Sequence, residues 1–249
     1  GESTENPLPY YRNNVAGSIA LFEAMEAVGV HNLVFSSSCT VYGEPREVPL
    51  TESHPVGAVS SPYGRTKYMM EEILRDHCAA NKRWNVAVLR YFNPVGAHES
   101  GQIGEEPIGI PNNLMPYIAQ VADGRREYLN IFGNDYETAD GTGARDYIHV
   151  VDLALAHIGA LNQSKLDKFE ILNIGGGEST TVLELIKSFE ETSGVTIKFK
   201  YLPRRDGDLA AFWANSSKSS EKMSWKPERN IKKICEDTWR WQLKNLKRA

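Results

Sequence analysis

Helical and extended hydrophobic patterns alternate along most of the chain. From Val15, the residues Ile19, Phe22, Met25 and Val28 recur at helical spacing until Gly29, which predicts a helix closed by glycine. His31 to Ser37 follows as a strand. Its continuous apolar run Leu33-Val34-Phe35 predicts cover on both faces. Ser61 and Pro62 read as a cap and first turn, with Met70, Ile73 and Leu74 as the buried face of a helix running to about Ala80. Trp84 to Tyr91 reads as a second strand, followed by a loop at Asn93-Pro94-Val95-Gly96. This α, β, α, β order predicts parallel strands joined by crossover helices.

Beyond residue 95 the spacing loosens into a long Gly- and Pro-rich stretch ending at Pro111. Helices are expected near Asn112 to Ala122, Val151 to Leu161, Thr181 to Thr192 and Ile231 to Leu246. Extended pieces are expected at Leu129 to Phe132, Tyr147 to Val150, Phe169 to Ile174 and Ile197 to Leu202. With no internal repeat, the simplest architecture is a sheet domain with an appended smaller α/β region.

Composition narrows the partners. Lys and Arg number 28 against 32 Asp and Glu, a formal charge of -4, so nucleic acid is an unfavourable ligand. No apolar run reaches the roughly 20 residues of a membrane span and no basic-then-apolar leader opens the chain, so a cytoplasmic location is expected. Cys39, Cys78 and Cys235 are too scattered for a disulfide framework or a zinc site and read as reduced thiols. The six histidines lack metal spacing, so no metal is expected. The chain opens on Gly1 in polar sequence that runs into the first helical pattern, which raises processing or truncation.

Candidate chemistry begins with Tyr63 and Lys67, four apart on one helix and so on one face. Ser38 stands where a strand ends, the side of an open α/β sheet on which ligands bind. A serine can relay a proton between a substrate hydroxyl and Tyr63, and a neighbouring ammonium is expected to favour the phenolate. These residue types suit removing a proton from a secondary alcohol while its carbon loses hydride, hence a nicotinamide acceptor. Acyl transfer is excluded, since neither a spaced histidine base nor a G-x-S-x-G elbow is present. No dinucleotide fingerprint is present either. Gly175-Gly176-Gly177 follows a strand but reads as a tight turn.

The blocks Phe35-Ser-Ser-Ser-Cys-Thr-Val-Tyr-Gly43, Ser61-Pro-Tyr-Gly-Arg-Thr-Lys67, Leu89-Arg-Tyr-Phe-Asn-Pro-Val-Gly-Ala-His98 and Gly109-Ile-Pro-Asn-Asn-Leu-Met-Pro116 come in order. Ile131-Phe-Gly-Asn-Asp135, Gly141-Thr-Gly-Ala-Arg-Asp-Tyr-Ile-His-Val150, Pro203-Arg-Arg-Asp-Gly-Asp208 and Trp239-Arg-Trp241 continue the pattern. Together they resemble the UDP-glucose 4-epimerase family of extended short-chain dehydrogenases/reductases over essentially the whole chain. The resemblance implies an α/β fold, an incomplete Rossmann-like parallel sheet with a smaller C-terminal α/β substrate domain. Residues 1–95 would be the C-terminal half of the NAD-binding domain, and 96–249 mainly the UDP-sugar domain with some segments returning. It also implies a G-x-x-G-x-x-G turn, first strands and a phosphate-clamping lysine in roughly eighty to ninety residues ahead of Gly1, about two βαβ units. This chain alone is then expected to be inactive and, with an open edge at Leu33, aggregation-prone.

By matching motif, Ser38 and Tyr63 are implied to handle the proton, and Lys67 to hold the nicotinamide ribose while biasing Tyr63. Asn13 and Phe92 would border NAD. Asn93, Asn113, Leu114, Asn130, Phe132, Arg145, Arg205 and Asp208 would enclose the UDP-sugar, with Arg145 and Arg205 on the diphosphate and Asp208 on ribose hydroxyls. Phe212 stands where relatives carry tyrosine or a smaller residue. Its bulk is expected to favour UDP-glucose and UDP-galactose over N-acetylated sugars. The implied reaction passes through a 4-keto sugar that turns about its linkage to UDP. A homodimer is implied through helices around Ile19 and Ile73. The rivals are a 4,6-dehydratase, disfavoured because Cys39 and Thr40 stand where an Asp-Glu pair is needed, and a non-catalytic UDP-sugar-binding fragment.

Overall fold

The computed structural model describes residues 2–45, 47–162, 166–205 and 207–246. In chain order its elements are α1 (Glu2–Glu5), α2 (Pro7–Tyr10), α3 (Gly17–Ala27), β1 (Asn32–Ser38), α4 (Pro62–Ala80), β2 (Asn85–Tyr91), β3 (Asn93–Val95), α5 (Leu114–Ala122), β4 (Leu129–Phe132) and β5 (Ala144–Arg145). Then come β6 (Tyr147–His149), α6 (Val150–Asn162), β7 (Phe169–Ile174), β8 (Thr180–Thr181), α7 (Val182–Ser193), β9 (Phe199–Leu202), β10 (Ala211–Phe212), α8 (Ser217–Met223) and α9 (Ile231–Leu246). The chain divides into two compact units, one of residues 1–92, 156–174 and 215–226, the other of 93–155, 175–214 and 227–249.

The first unit is built on a parallel sheet in the order β1-β2-β7. Val86, Val88, Trp84, Phe22, Met70, Leu74 and Cys78 form its buried cluster. Ser61 caps α4 by accepting from the Gly64 amide at 3.2 Å, and Pro62 occupies the first turn, where its lack of an N–H costs nothing. The expected double cover of the strand at Leu33 is not what the sheet shows. In β1 the residues Leu33, Val34 and Phe35 are half-buried, whereas β2 is buried from Val86 to Arg90. The reason is position, since β2 has a partner on both sides and β1 on one. The polar opening is helical from Glu2 almost to Ala27, with a π-helical stretch at Tyr11–Ala16.

In the second unit Met115, Ile118, Leu129, Ile131, Leu185, Phe189, Ile197 and Ile234 make a core among α5, α7, α9 and the β4-β9 pair. A capping box at Thr181 and Glu184 opens α7, and Gly194 in the left-handed region (φ 72°) ends it. Residues 93–95, expected as loop, pair in parallel with β6 as a short strand, because Asn93 and Val95 find backbone partners in Tyr147 and His149. The two-residue strands β5, β8 and β10, which pair in the order β10-β5-β8, are too short to leave a periodic signal.

Candidate functional site

The carboxyl end of β1 and the first turns of α4 bring Ser38, Tyr63 and Lys67 together. Ser38 is nearly buried and ends the strand. Its Oγ accepts from the Thr40 amide at 3.2 Å and from the Thr40 hydroxyl at 3.0 Å. With both lone pairs engaged, its own O–H is left to donate, and the Ser38 hydroxyl favours the Tyr63 phenolate. Burial acts more strongly in the opposite direction and holds the Tyr63 phenol above its ordinary value. The Tyr63 ring also meets Tyr10 edge-on at 6.4 Å, and its amide donates to Ser3 Oγ at 3.3 Å.

Lys67 departs from the expectation that its ammonium would draw Tyr63 down. Its Nζ donates to the Ser36 carbonyl at 2.8 Å and stands 5.7 Å from the centre of the Tyr63 ring. Burial lowers the lysine's own pKa. The phenol is therefore governed by desolvation and Ser38, while the ammonium keeps two further N–H groups for another acceptor. Asn13 is exposed on the π-helical stretch and donates to Asn14 Oδ1 at 3.0 Å, without bonding to the Ser38-Tyr63 pair. Phe92 is buried just past β2, its amide bonded to the Ile174 carbonyl at 3.2 Å.

In the second unit Asp208 gathers two guanidinium groups. Arg145 Nη2 donates to Oδ1 at 2.8 Å, and Arg205 Nε and Nη2 donate to Oδ2 at 3.0 and 2.9 Å. Arg145 also donates to the Ala144 and Leu209 carbonyls, and Arg205 lies 4.7 Å over the ring of Phe132. Asp208 is shared here between the two arginines expected on the diphosphate, and one carboxylate against two guanidinium groups leaves the cluster net positive. Asn130 precedes Phe132 by two on β4 and shares its face. Its Oδ1 is buried without a hydrogen-bond partner. Asn93 gives both its amide and its side-chain Nδ2 to the Asp146 carbonyl, at 3.0 and 2.9 Å. Phe212 is buried and pairs in register with Arg145. Asn113 reaches only Glu105, at 3.4 Å, and Leu114 packs on the core, so neither bonds to the guanidinium cluster. Asp206 lies outside the described residues.

Three charged residues that the motif reading passed over lie beside these groups. Glu71 and Arg90 form a buried ion pair behind Ser38. Asp146, fully buried, accepts from the amides of Gly176, Gly177 and Ala214 at 2.5, 3.1 and 3.0 Å. Burial pushes its pKa up to about 6 against those three N–H groups. The glycine run is a turn shaped by close approach, since a Cβ at Gly175 would come within 2.4 Å of Asp146 Oδ2. A single charge inside an apolar run, Arg90 after Val88-Leu89, was the available signal, whereas Glu71 stands beside Glu72 and gave none.

Among the described residues no helix is long and apolar enough to cross a membrane, and no three of His, Cys, Asp and Glu are grouped as metal ligands. Cys39, Cys78 and Cys235 are buried and free of disulfides.

Residues 1–238 match the sequence profile of the GDP-mannose 4,6 dehydratase family. Human UDP-glucose 4-epimerase is 55% identical over 98% of this chain and 71% of its own length. The crystal structure of UDP-glucose 4-epimerase from Stenotrophomonas maltophila, with bound NAD and formylated UDP-arabinopyranose, superposes with a TM-score of 0.96 at 49% identity, over 100% of this chain and 74% of that one. The enzyme from Bifidobacterium longum, in complex with NAD+ and UDP, gives 0.93 at 46% identity over 99% and 73%. An α/β scaffold with parallel strands, a Ser-Tyr-Lys group at a strand end, and likeness of this extent lead to one conclusion: the chain belongs to the UDP-glucose 4-epimerase family of extended short-chain dehydrogenases/reductases.

Proposed function

We propose that this chain carries the proton-handling and UDP-sugar-binding parts of a UDP-glucose 4-epimerase, which interconverts UDP-galactose and UDP-glucose. The observation that carries the reading is the Ser38 hydroxyl, whose acceptor positions are filled by Thr40 and whose hydrogen is left to donate beside Tyr63, whose phenolate it favours. The residues fit NAD. Lys67 retains two donors suited to ribose hydroxyls beyond the one spent on Ser36. When bound, NAD supplies the acceptor and source of hydride.

Tyr63 takes the proton of the sugar 4-hydroxyl as carbon 4 is oxidised and returns it when carbon 4 is reduced on the opposite face. Ser38 steadies the phenolate before it takes the proton and again after it gives the proton back, and Lys67 fixes the ribose. Thr40, whose hydroxyl is committed to Ser38, offers no acid for eliminating the 6-hydroxyl, which disfavours dehydration. Arg145 and Arg205 bind the diphosphate, and the unpartnered Asn130 Oδ1 accepts from the uracil N–H with Phe132 beneath. Phe212 narrows the sugar site, so N-acetylated sugars turn over poorly. Exposed Ile19 and Leu21 on α3, Val28 just past its end, and Met69 on α4 favour a homodimer paired through these helices, and we place the enzyme in the cytoplasm.

Coupled assay of UDP-galactose conversion with NAD, in a full-length version of the enzyme that contains this chain, tests the reading. Tyr63→Phe should lower turnover by about 100-fold or more while leaving calorimetric UDP binding unchanged. Undiminished turnover in that variant removes Tyr63 from the chemistry.

A further inference from the structure

Three successive residues at the end of β1 face successive turns of α4. The Ser36 carbonyl accepts from Lys67 and Ser37 Oγ donates to Glu71 Oε1 at 2.5 Å, while the Ser38 hydroxyl acts on Tyr63, whose phenolate it favours. Tyr63, Lys67 and Glu71 are four apart and share one helix face. Glu71 is itself held from the sheet. Arg90 Nε donates to Oε1 at 3.0 Å and Nη2 to Oε2 at 2.6 Å. Arg90 stands directly across from Ser37 in the β1-β2 register, so both point to the face on which Glu71 lies. Ser37, Glu71 and Arg90 are each only 1% exposed. The Arg90 guanidinium lies 4.7 Å over the Tyr42 ring, whose hydroxyl donates to Asn173 at 2.6 Å.

Stability alone is a weak reason for such a pair. Taking two charges out of water costs as much as their attraction returns, and apolar side chains of similar size commonly do as well. What a bidentate pair adds is a fixed position for its oxygens. Here those oxygens grip the residue next to Ser38, from a helix whose first turn carries Tyr63.

We propose that Glu71, oriented by Arg90, is a positioning residue for the proton-transferring pair: through Ser37 it locks the end of β1 to α4 and so sets where Ser38 stands against Tyr63. The inference rests on the reading of Ser38 and Tyr63 as that pair.

The test is NMR of the whole chain carrying 13Cζ-labelled tyrosine, with the Tyr63 resonance assigned by its loss in Tyr63→Phe and calibrated by its displacement in Ser38→Ala. Ser37→Ala, which removes the link and keeps the ion pair, should displace the resonance in the same direction as Ser38→Ala. Glu71→Gln should do so as well. Leu74→Val, a core change on the same helix, should leave it in place. In a full-length version of the enzyme, turnover in Ser37→Ala should fall about 10- to 100-fold, as for a misplaced catalytic group, with KM for UDP-galactose unchanged. Glu71→Gln risks misfolding by leaving Arg90 unpaired, so Ser37→Ala carries the decision. An unmoved resonance in folded Ser37→Ala overturns the inference, as does an equal displacement in Leu74→Val. If Ser38→Ala itself leaves Tyr63 unmoved, the reading of the pair fails and the inference falls with it.

Discussion

Each unit buries a carboxylate beside residues assigned to ligand, and the two are stabilised in different ways. Glu71 in the first unit is met by a guanidinium and a hydroxyl. Asp146 in the second is met, among the described residues, by the amides of Gly176, Gly177 and Ala214. A side-chain pair ties two regular elements, α4 and β2, at a fixed spacing. An amide cradle instead gathers short strands and a glycine turn around one point: Asp146 also accepts from Asn93 through its carbonyl, and its amide donates to Phe212. The first arrangement is therefore most sensitive to loss of a partner, the second to protonation. Arg90→Met strips Glu71 of its counter-charge and should cost about 3–5 kcal/mol, measured by urea denaturation. Arg145→Met, in a pair that water reaches, should cost about 1 kcal/mol while weakening UDP binding. Equal losses at the two arginines would erase the contrast.

Acid provides the second break. Asp146 titrates near 6 when folded, above the roughly 3.9 of an unfolded aspartate. As pH rises, the unfolded chain gives up this proton first. The group's contribution is thus complete below about pH 4 and is lost as pH climbs through about 6, a change of about 3 kcal/mol. Asp146→Asn removes the titration, so the comparison that matters is wild type minus variant. Amide exchange at Gly176, Gly177 and Ala214 should show wild type gaining protection relative to the variant on going from neutral pH to about pH 5. A difference that stays flat across that interval would assign the cradle a charge that burial does not disturb.

The same contrast governs what could be read beforehand. The helix from Pro62 to Ala80, the strands at Phe169 to Ile174 and Leu129 to Phe132, and the helix from Ile231 to Leu246 stand where periodicity put them, because each buries a regular face. Ser38, Tyr63 and Lys67 were legible as a group for the same reason: a strand end and an i, i+4 pair are local patterns. Arg90 left a fainter trace, one charge in an apolar run, without saying that it meets Glu71 across 19 residues. Asp146 left none. Its partners are backbone amides up to 68 residues away, and a backbone N–H has no letter in the sequence. Nor could spacing show that Lys67 turns to the Ser36 carbonyl, since that acceptor is also main chain.

The smallest effect should come from Asp208, where the second unit does use side-chain pairs. Asp208 joins Arg145 and Arg205, as Glu71 joins Ser37 and Arg90, so bonding pattern alone would rank them together. Solvent separates them. The Arg205 side chain is 58% exposed and Asp208 19%, against 2% and 1% for Arg90 and Glu71. Each guanidinium also has a second anchor, the Ala144 and Leu209 carbonyls for Arg145 and the Phe132 ring for Arg205. Asp208→Asn leaves those anchors, keeps an oxygen that can accept from one arginine, and uncovers positive charge that water solvates. The expected cost is about 1 kcal/mol or less, read as a small shift in the urea midpoint at unchanged slope. A loss as large as that of Arg90→Met would mean that the guanidinium cluster is a structural clamp of the Glu71 kind, with no charge to spare for a diphosphate.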